Sequence, residues 1–123
     1  ADLNAAPDPA CNLHRNACSA ELPGGGRVEL SLAPRPIPMV KPLAVEVTVS
    51  GRQAARIEVD FAGVSMNMGL NRPLLEAVGG GRFKGAATLP VCVTGVMDWQ
   101  ATVLVETERE RVAVPFRFGS RPQ

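Results

Sequence analysis

Histidine is scarce in this sequence, with one copy at position 14, in a loop near the N-terminus. One histidine argues against a Ser-His-Asp triad and against a zinc site built from several histidines. The glycine runs at 24–26 and 79–81 do not precede a Lys-Ser or Lys-Thr pair, so they do not form a phosphate-binding loop. Carboxylates are scattered on strand faces opposite apolar residues rather than paired. We therefore expect a protein that is not an enzyme.

The sequence also lacks an excess of either charge. The chain has thirteen Lys and Arg residues and twelve Asp and Glu residues, and the net charge is +1. Nucleic acids and anionic membranes select a concentrated basic surface, so neither is expected as the main partner. No apolar run reaches the ~20 residues of a membrane-spanning helix. The small and polar start, ADLNAAPDPAC, is typical of a chain from which a signal or anchor has been removed, and predicts a periplasmic or otherwise exported protein.

Three cysteines leave one thiol over if two of them pair. Cys11 and Cys18 are close in CNLHRNAC, whereas Cys92 lies in a distant apolar stretch. The motif has three interpretations: a disulfide, a Cys-His-Cys metal site that includes His14, or free or intermolecular thiols. We favour the disulfide, which would contribute about 2.5 kcal/mol by chain entropy, with Cys92 left reduced. His14 itself is expected to be a solvated loop residue.

Alternation of apolar and polar residues is the main structural signal. Residues 27–33, 43–50, 55–61, 99–107 and 112–118 alternate with period two, and turn residues recur every 8 to 12 positions. The pattern predicts an all-β fold, an immunoglobulin-like antiparallel β-sandwich of about seven strands. A small closed barrel is the alternative.

The remaining segments are assigned from proline, glycine and apolar patterning. Residues 64–70 alternate like a further strand, and residues 71–78 fit either one helical turn or an extended connection. The expected organisation is a flexible N-terminal segment at 1–26 that carries the Cys11/Cys18 loop, a sandwich domain at 27–119, and a disordered tail at 120–123.

Sulfur is the most promising source of chemistry. Met66 and Met68 are two apart, so on a strand their side chains would leave the same face. Cys92 and Met97 bracket a short glycine-containing stretch that could fold both sulfurs towards one point. Thiolate and thioether ligands select Cu(I) over harder metals. Trp99 would shield such an ion from water and oxidant.

Ordinary core packing explains much of the same pattern. Methionine fills irregular gaps in cores, and a cysteine among valines behaves as a small buried hydrophobe. Met39 lies apart from the other sulfurs between Pro38 and Val40, and is expected to pack or to be exposed.

Three stretches carry a resemblance to a known family: the methionine-bearing stretch VSMNMG at 64–69, the aromatic stretch GRFKG at 81–85 followed by 86–90, and the Gly/Trp stretch GVMDW at 95–99. Through them, residues 43–118 resemble the FixH/YtkA-like group of exported or membrane-anchored bacterial domains. Phe83 stands where a tyrosine is usual, and Gly95 precedes Trp99 by four residues rather than two. The methionine stretch also lacks the histidines often found there.

The resemblance implies an immunoglobulin-like fold, copper handling and cytochrome oxidase assembly, with Met66 and Met68 as candidate ligands. Together with the chemistry of sulfur, it predicts a Cu(I) chaperone or buffer that binds metal through Met66, Met68, Cys92 and Met97. Its partner would be a copper-receiving protein such as an oxidase assembly factor. The alternative is a non-catalytic interaction module without metal, which would bind protein through a sheet edge or the proline-rich residues 34–42.

Overall fold

The computed structural model describes residues 2–91 and 95–122. These residues contain nine strands and no helix. The strands are β1 Asp2–Asn4, β2 Cys18–Glu21, β3 Arg27–Ala33, β4 Pro42–Ser50, β5 Arg56–Gly63, β6 Glu76–Gly79, β7 Arg82–Thr88, β8 Asp98–Glu106 and β9 Arg111–Gly119.

The strands form two separate sheets that pack as a sandwich. One sheet has the order β1-β9-β8-β5 and the other β2-β3-β4-β7-β6. Strands β3-β4-β7-β6 and β5-β8-β9 reproduce the four-strand and three-strand sheets of constant-type immunoglobulin domains. The predicted sandwich is confirmed, with two more strands than expected, and the closed barrel is wrong.

Alternation along the long strands places their apolar residues in one core. In β3, Val28, Leu30 and Leu32 are fully buried, while Arg27 and Glu29 lie on the outer face. The same pattern holds in other long strands, and the largest fully buried side chains are Trp99, Phe61 and Phe116. Burial of these side chains, at roughly 25 cal/mol per Å² of apolar surface, is the main source of stability.

The first 26 residues are part of the sandwich, which differs from the expected flexible segment. Strand β1 pairs in parallel with β9, β2 pairs with β3, and Leu13 between them is almost fully buried. Two strands of three and four residues leave almost no local alternation. Strand β1 is ordered by pairing with a strand far along the chain, and β2 by pairing with the next strand, β3. At the other terminus, Ser120 is hydrogen-bonded to Met97 rather than disordered.

Residues 71–75 run extended along the free edge of β5, which settles the choice between a helical turn and an extended connection. The Phe61 amide donates to Asn71 O at 2.8 Å, and the Leu75 amide donates to Ile57 O at 2.9 Å. The chain then crosses to the other sheet and continues as β6. The Asn71 side chain also donates to Thr88 O at 3.0 Å, so it ties the two sheets together.

The sandwich has two ends, which are named here for later use. The methionine end includes the loops at 34–41 and 64–70, the described parts of 89–97, and residues 119–122 at and after the end of β9. The turn at 12–16 also reaches this end, through the hydrogen bonds of His14 with Ile37 and Gly119. The far end consists of the loops at 22–26, 51–55, 80–81 and 107–110.

Candidate sulfur site at the methionine end

The loop at 64–70 is not a strand, so the predicted alternation over these residues is wrong. Strand β5 ends at Gly63, and the chain then turns through bends. Asn67 Oδ1 accepts a hydrogen bond from the Gly69 amide at 2.9 Å, and Gly69 has a φ of +82°. This local turn competes with strand pairing. The shared strand face proposed for Met66 and Met68 therefore does not exist.

Gly63 is the point about which this loop folds back. A Cβ atom placed on Gly63 would lie 2.6 Å from Met97 Cε and 3.2 Å from Met68 Cγ, and closer still to Met66 O. Real Cβ atoms do not make contacts this short, so only glycine allows the loop to approach so closely. The side chains of Met68 and Met97 thus meet over the same residue, although they are 29 positions apart.

Trp99 lies on the strand that pairs with the end of β5. It is opposite Gly63 in the antiparallel pairing of β5 and β8, and it is fully buried. Its Nε1–H is the buried side-chain donor without a hydrogen-bond partner among the described residues. Trp99 is therefore a buried cross-strand neighbour of Gly63, and its role as a shield for a metal ion stays a prediction.

The three described methionines of the predicted site differ in access to solvent. Met97 is 6% exposed, Met68 is half-buried against the core, and Met66 is 40% exposed. The three methionines therefore lie at increasing exposure, from Met97 in the core through Met68 to Met66 at the surface. Met39 is also half-buried at this end and packs against the core. None of its atoms is among the three nearest to a Cβ atom placed on Gly63.

Hydrogen bonds with the C-terminal segment fix the backbone of Met97. The Met97 amide donates to Ser120 Oγ at 3.0 Å, and the Ser120 amide donates to Met97 O at 2.8 Å. On the other side of the site, the Val64 amide donates to Asp98 O at 2.9 Å. Both methionine-bearing segments are therefore anchored to the strands beside them.

Cys92, the fourth predicted ligand, lies outside the described residues. Its proximity to Met97 stays a prediction. Among the described residues, no group of three or more His, Cys, Asp and Glu is placed to bind a metal ion. The described part of the candidate site therefore consists of methionines.

His14 is buried, and the expectation of a solvated loop residue is wrong. It is 5% exposed, and its ring packs edge-on against Phe118 at 6.0 Å. The Ile37 amide donates to Nδ1 at 3.0 Å, so Nδ1 carries no proton, and Nε2–H donates to Gly119 O at 2.7 Å. His14 therefore connects its own turn to the segments of Ile37 and Gly119. Because both ring nitrogens are already hydrogen-bonded to backbone atoms, His14 is not a candidate ligand of the sulfur site.

The disulfide between Cys11 and Cys18 is confirmed. Both sulfurs are consumed in this bond, so the Cys-His-Cys metal site is wrong. The bridge closes the turn that carries Leu13 and His14 into the core.

Gly63 is a residue of the candidate site that was not predicted from the sequence. Its signal was present, since a glycine at the end of an apolar strand often marks a close approach of another backbone. That the approaching atoms belong to two methionines could not be read from the sequence, because their meeting depends on the fold of two separate loops.

Comparison of the chain with protein-family models, with curated proteins and with solved structures finds no match. No helix suited to crossing a membrane occurs within residues 2–91 and 95–122.

Proposed function

We propose that this protein binds Cu(I) as a chaperone or buffer, through the thioether sulfurs of Met68 and Met97, with Met66 and Cys92 as further donors. The observation that carries the proposal is the convergence of the Met68 and Met97 side chains over Gly63. Two residues distant in sequence bring soft donors to one place, beside an exposed third methionine.

The chemistry of this donor set fits Cu(I) better than other biological metals. Thioethers bind without losing a proton, and soft donors disfavour calcium and magnesium. Trp99, which is fully buried and opposite Gly63, would limit access of water and oxidant to the metal. The FixH/YtkA-like resemblance of residues 43–118 points to the same metal and to a copper-receiving partner such as an oxidase assembly factor.

The proposed location is the periplasm or another exported compartment. The disulfide between Cys11 and Cys18 agrees with this location, because such bonds persist where thiols are not kept reduced.

A non-catalytic interaction module without metal is the second candidate function. The exposed apolar side chains at the methionine end favour it. In that case Met68 and Met97 would be packing residues only, and metal would bind no more tightly to the wild type than to their variants.

Competition with a chromogenic Cu(I) chelator under reducing conditions tests the proposal. Met68→Leu and Met97→Leu conserve side-chain volume and should cost less than about 1.5 kcal/mol of stability. Each should weaken Cu(I) binding at least about tenfold, equivalent to 1.4 kcal/mol. Met39→Leu is the matched control, because it removes a half-buried methionine of the same end and should leave the affinity unchanged.

Two further measurements sharpen the result. Trp99 is the only tryptophan, so a fluorescence change on addition of redox-inert Ag(I) reports on this part of the core. Cys92→Ser tests the donor that lies outside the described residues. The proposal is wrong if the wild type fails to compete for Cu(I), or if Met39→Leu weakens binding as much as Met68→Leu and Met97→Leu do.

A further inference from the structure

Exposed apolar side chains collect at the methionine end. Eight large hydrophobic residues are exposed in the described chain, and six of them lie on three loops of this end. Leu70 is the extreme case, at 91% exposure. The six, called the apolar collar below, are Val40, Val64, Met66, Leu70, Val91 and Val96. The other two, Leu74 and Val78, belong to the crossing segment and to β6, so the far end has none among the described residues.

Charge is distributed just as unevenly. The sequence of the four loops of the methionine end, taken as 34–41, 64–70, 89–97 and 119–122, contains Arg35, Lys41 and Arg121 and no Asp or Glu. Asp98, at the start of β8, is the one carboxylate that adjoins these loops in sequence.

The three cations keep their charge available. Within the described residues, none of the ion pairs includes Arg35, Lys41 or Arg121. Arg35 is held by neutral acceptors, among them Ser31 Oγ at 2.8 Å. Lys41 and Arg121 are exposed. This end therefore combines an apolar collar with cations that lack a carboxylate partner.

We propose that the methionine end is a docking surface for another protein, one that presents apolar side chains flanked by Asp and Glu. Contiguous exposed apolar side chains on a soluble domain mark interaction sites more often than chance. Interface centres favour apolar residues and methionine and disfavour charge, while charged pairs lie at the rim. The collar supplies the first kind of residue and the three cations supply the second, and carboxylates on the partner would pair with the cations.

The charge also decides against two other occupants. A second copy of this chain would bring three further cations against the same three, which is repulsive. An anionic membrane would gain only about 1 kcal/mol from each cation near its surface. Membrane-binding surfaces also use Trp and Tyr, and the exposed large side chains here are aliphatic or methionine. A protein that presents apolar side chains flanked by Asp and Glu complements both the apolar collar and the three cations.

This inference stands on surface composition and does not depend on metal binding. Met66 belongs both to the collar and to the proposed copper site, so a docked partner would cover the exposed sulfur of that site. Failure of Cu(I) binding would leave the docking surface intact, and the experiment below contains no metal.

A displayed library of random 12-residue peptides, selected on the folded protein at low salt, tests the proposal. The selected peptides should combine aliphatic side chains with Asp or Glu. Leu70→Ser with Val91→Ser should weaken their binding at least about tenfold, and Lys41→Glu with Arg121→Glu should have a similar effect that fades at high salt. Val78→Ser is the matched control, because it removes an exposed valine outside the collar and should change nothing.

Three results would overturn the proposal. The first is selection of peptides without carboxylates, or of peptides that bind the collar variant as well as the wild type. The second is sedimentation of the protein with vesicles of 70% phosphatidylcholine and 30% phosphatidylglycerol, lost in the collar variant, which would assign the surface to membranes. The third is a dimer in analytical ultracentrifugation that Leu70→Ser with Val91→Ser dissociates, which would assign it to a second copy. Circular dichroism melting of each variant verifies that the fold is retained.

Discussion

The two ends of the sandwich join the same strands by different means. At the far end, connections of two to five residues close through turns with local hydrogen bonds, such as Leu22 N to Gly26 O and Thr107 N to Glu110 O. At the methionine end, the connections between β3 and β4, β5 and β6, and β7 and β8 have eight to twelve residues. They are held by contacts between distant segments, from His14, Asn71 and Ser120.

The far-end loops contain little beyond what is needed to connect strands, whereas the methionine-end loops contain residues that a connection does not require. The far-end loops are rich in glycine and carry both charge signs, which is sufficient for hairpins and crossovers. Loops longer than their connection requires, and rich in apolar and sulfur-bearing residues, are usual where a sandwich binds something. Function is therefore expected at the methionine end, and substitutions there should differ from their far-end counterparts.

The largest expected difference concerns the side chains that tie loops together at each end. His14 is buried and bonded to Ile37 and Gly119, while Arg52 is partly exposed and bonded to Pro23 O and Glu110. His14→Ala leaves a buried amide and a carbonyl unpaired and should lower the free energy of unfolding by about 3 kcal/mol. Arg52→Ala should lower it by about 1 kcal/mol or less, as for exposed ion pairs.

Urea unfolding of both variants measures these values. Equal losses would mean that the far end depends on its side-chain tie as strongly as the methionine end does, and the comparison would fail.

The next difference concerns glycines that are required for different reasons. A Cβ on Gly63 collides with the folded-back loop, whereas a Cβ on Gly24 meets no atom within 4 Å but has to adopt a φ of +81°. Gly63→Ala should therefore cost about 2 kcal/mol through displacement of the loop, and Gly24→Ala about 1 kcal/mol through backbone conformation alone. Thermal melting gives the stabilities.

Ag(I) binding followed by Trp99 fluorescence provides the second measurement. It should weaken in Gly63→Ala, because Met68 moves away from Met97, and stay unchanged in Gly24→Ala. Unaltered Ag(I) binding in a destabilised Gly63→Ala would show that the convergence over Gly63 is packing only.

The strands and the far end were easier to predict from the sequence than the methionine end. Strands such as β3 and β5 were predictable, because alternation is local and each strand buries one face. Two of the far-end turns, at 22–26 and 80–81, coincide with the glycine runs at 24–26 and 79–81. The disulfide followed from the spacing of Cys11 and Cys18, which was favoured over two alternatives.

The methionine end was predictable in part. Its candidate residues were found by their chemistry, but the loop at 64–70 was assigned to a strand, because Val64, Met66, Met68 and Leu70 alternate by coincidence with a turn. The role of His14 was missed, since its partners Ile37 and Gly119 are 23 and 105 positions away. Contacts of that range depend on the finished fold and leave no local pattern. For the same reason β1 was not predicted, whereas β2 was missed because its four residues are too few to show a pattern.

The smallest expected effect is that of acid, and it should spare the methionine end. Glu58 accepts hydrogen bonds from Arg72 at 2.7 Å and from Arg56 at 3.1 Å. The hydrogen bond from Arg72 holds the pKa of Glu58 below its usual value; burial acts in the opposite direction, and Arg56 adds to the lowering. A carboxyl with a lower pKa in the folded state stabilises the fold at neutral pH. That contribution is lost as the pH falls from the usual carboxyl value through the folded one.

Hydrogen exchange at pH 6 and pH 3, corrected for intrinsic rates, locates the effect. Protection along β5 and the adjoining residues 71–75 should fall, by about 0.5 kcal/mol, in line with exposed ion pairs. Glu58→Gln should abolish this pH dependence, while Glu108→Gln, an exposed carboxylate of the far end, should not. Arg72 belongs to the segment that runs along β5, and none of the ion pairs of the described residues involves 34–41, 64–70, 89–91, 95–97 or 119–122. Acid-induced loss of protection at Met97 or Ser120 would therefore require an ionic contribution that the described contacts do not contain, and would contradict the contrast between the two ends.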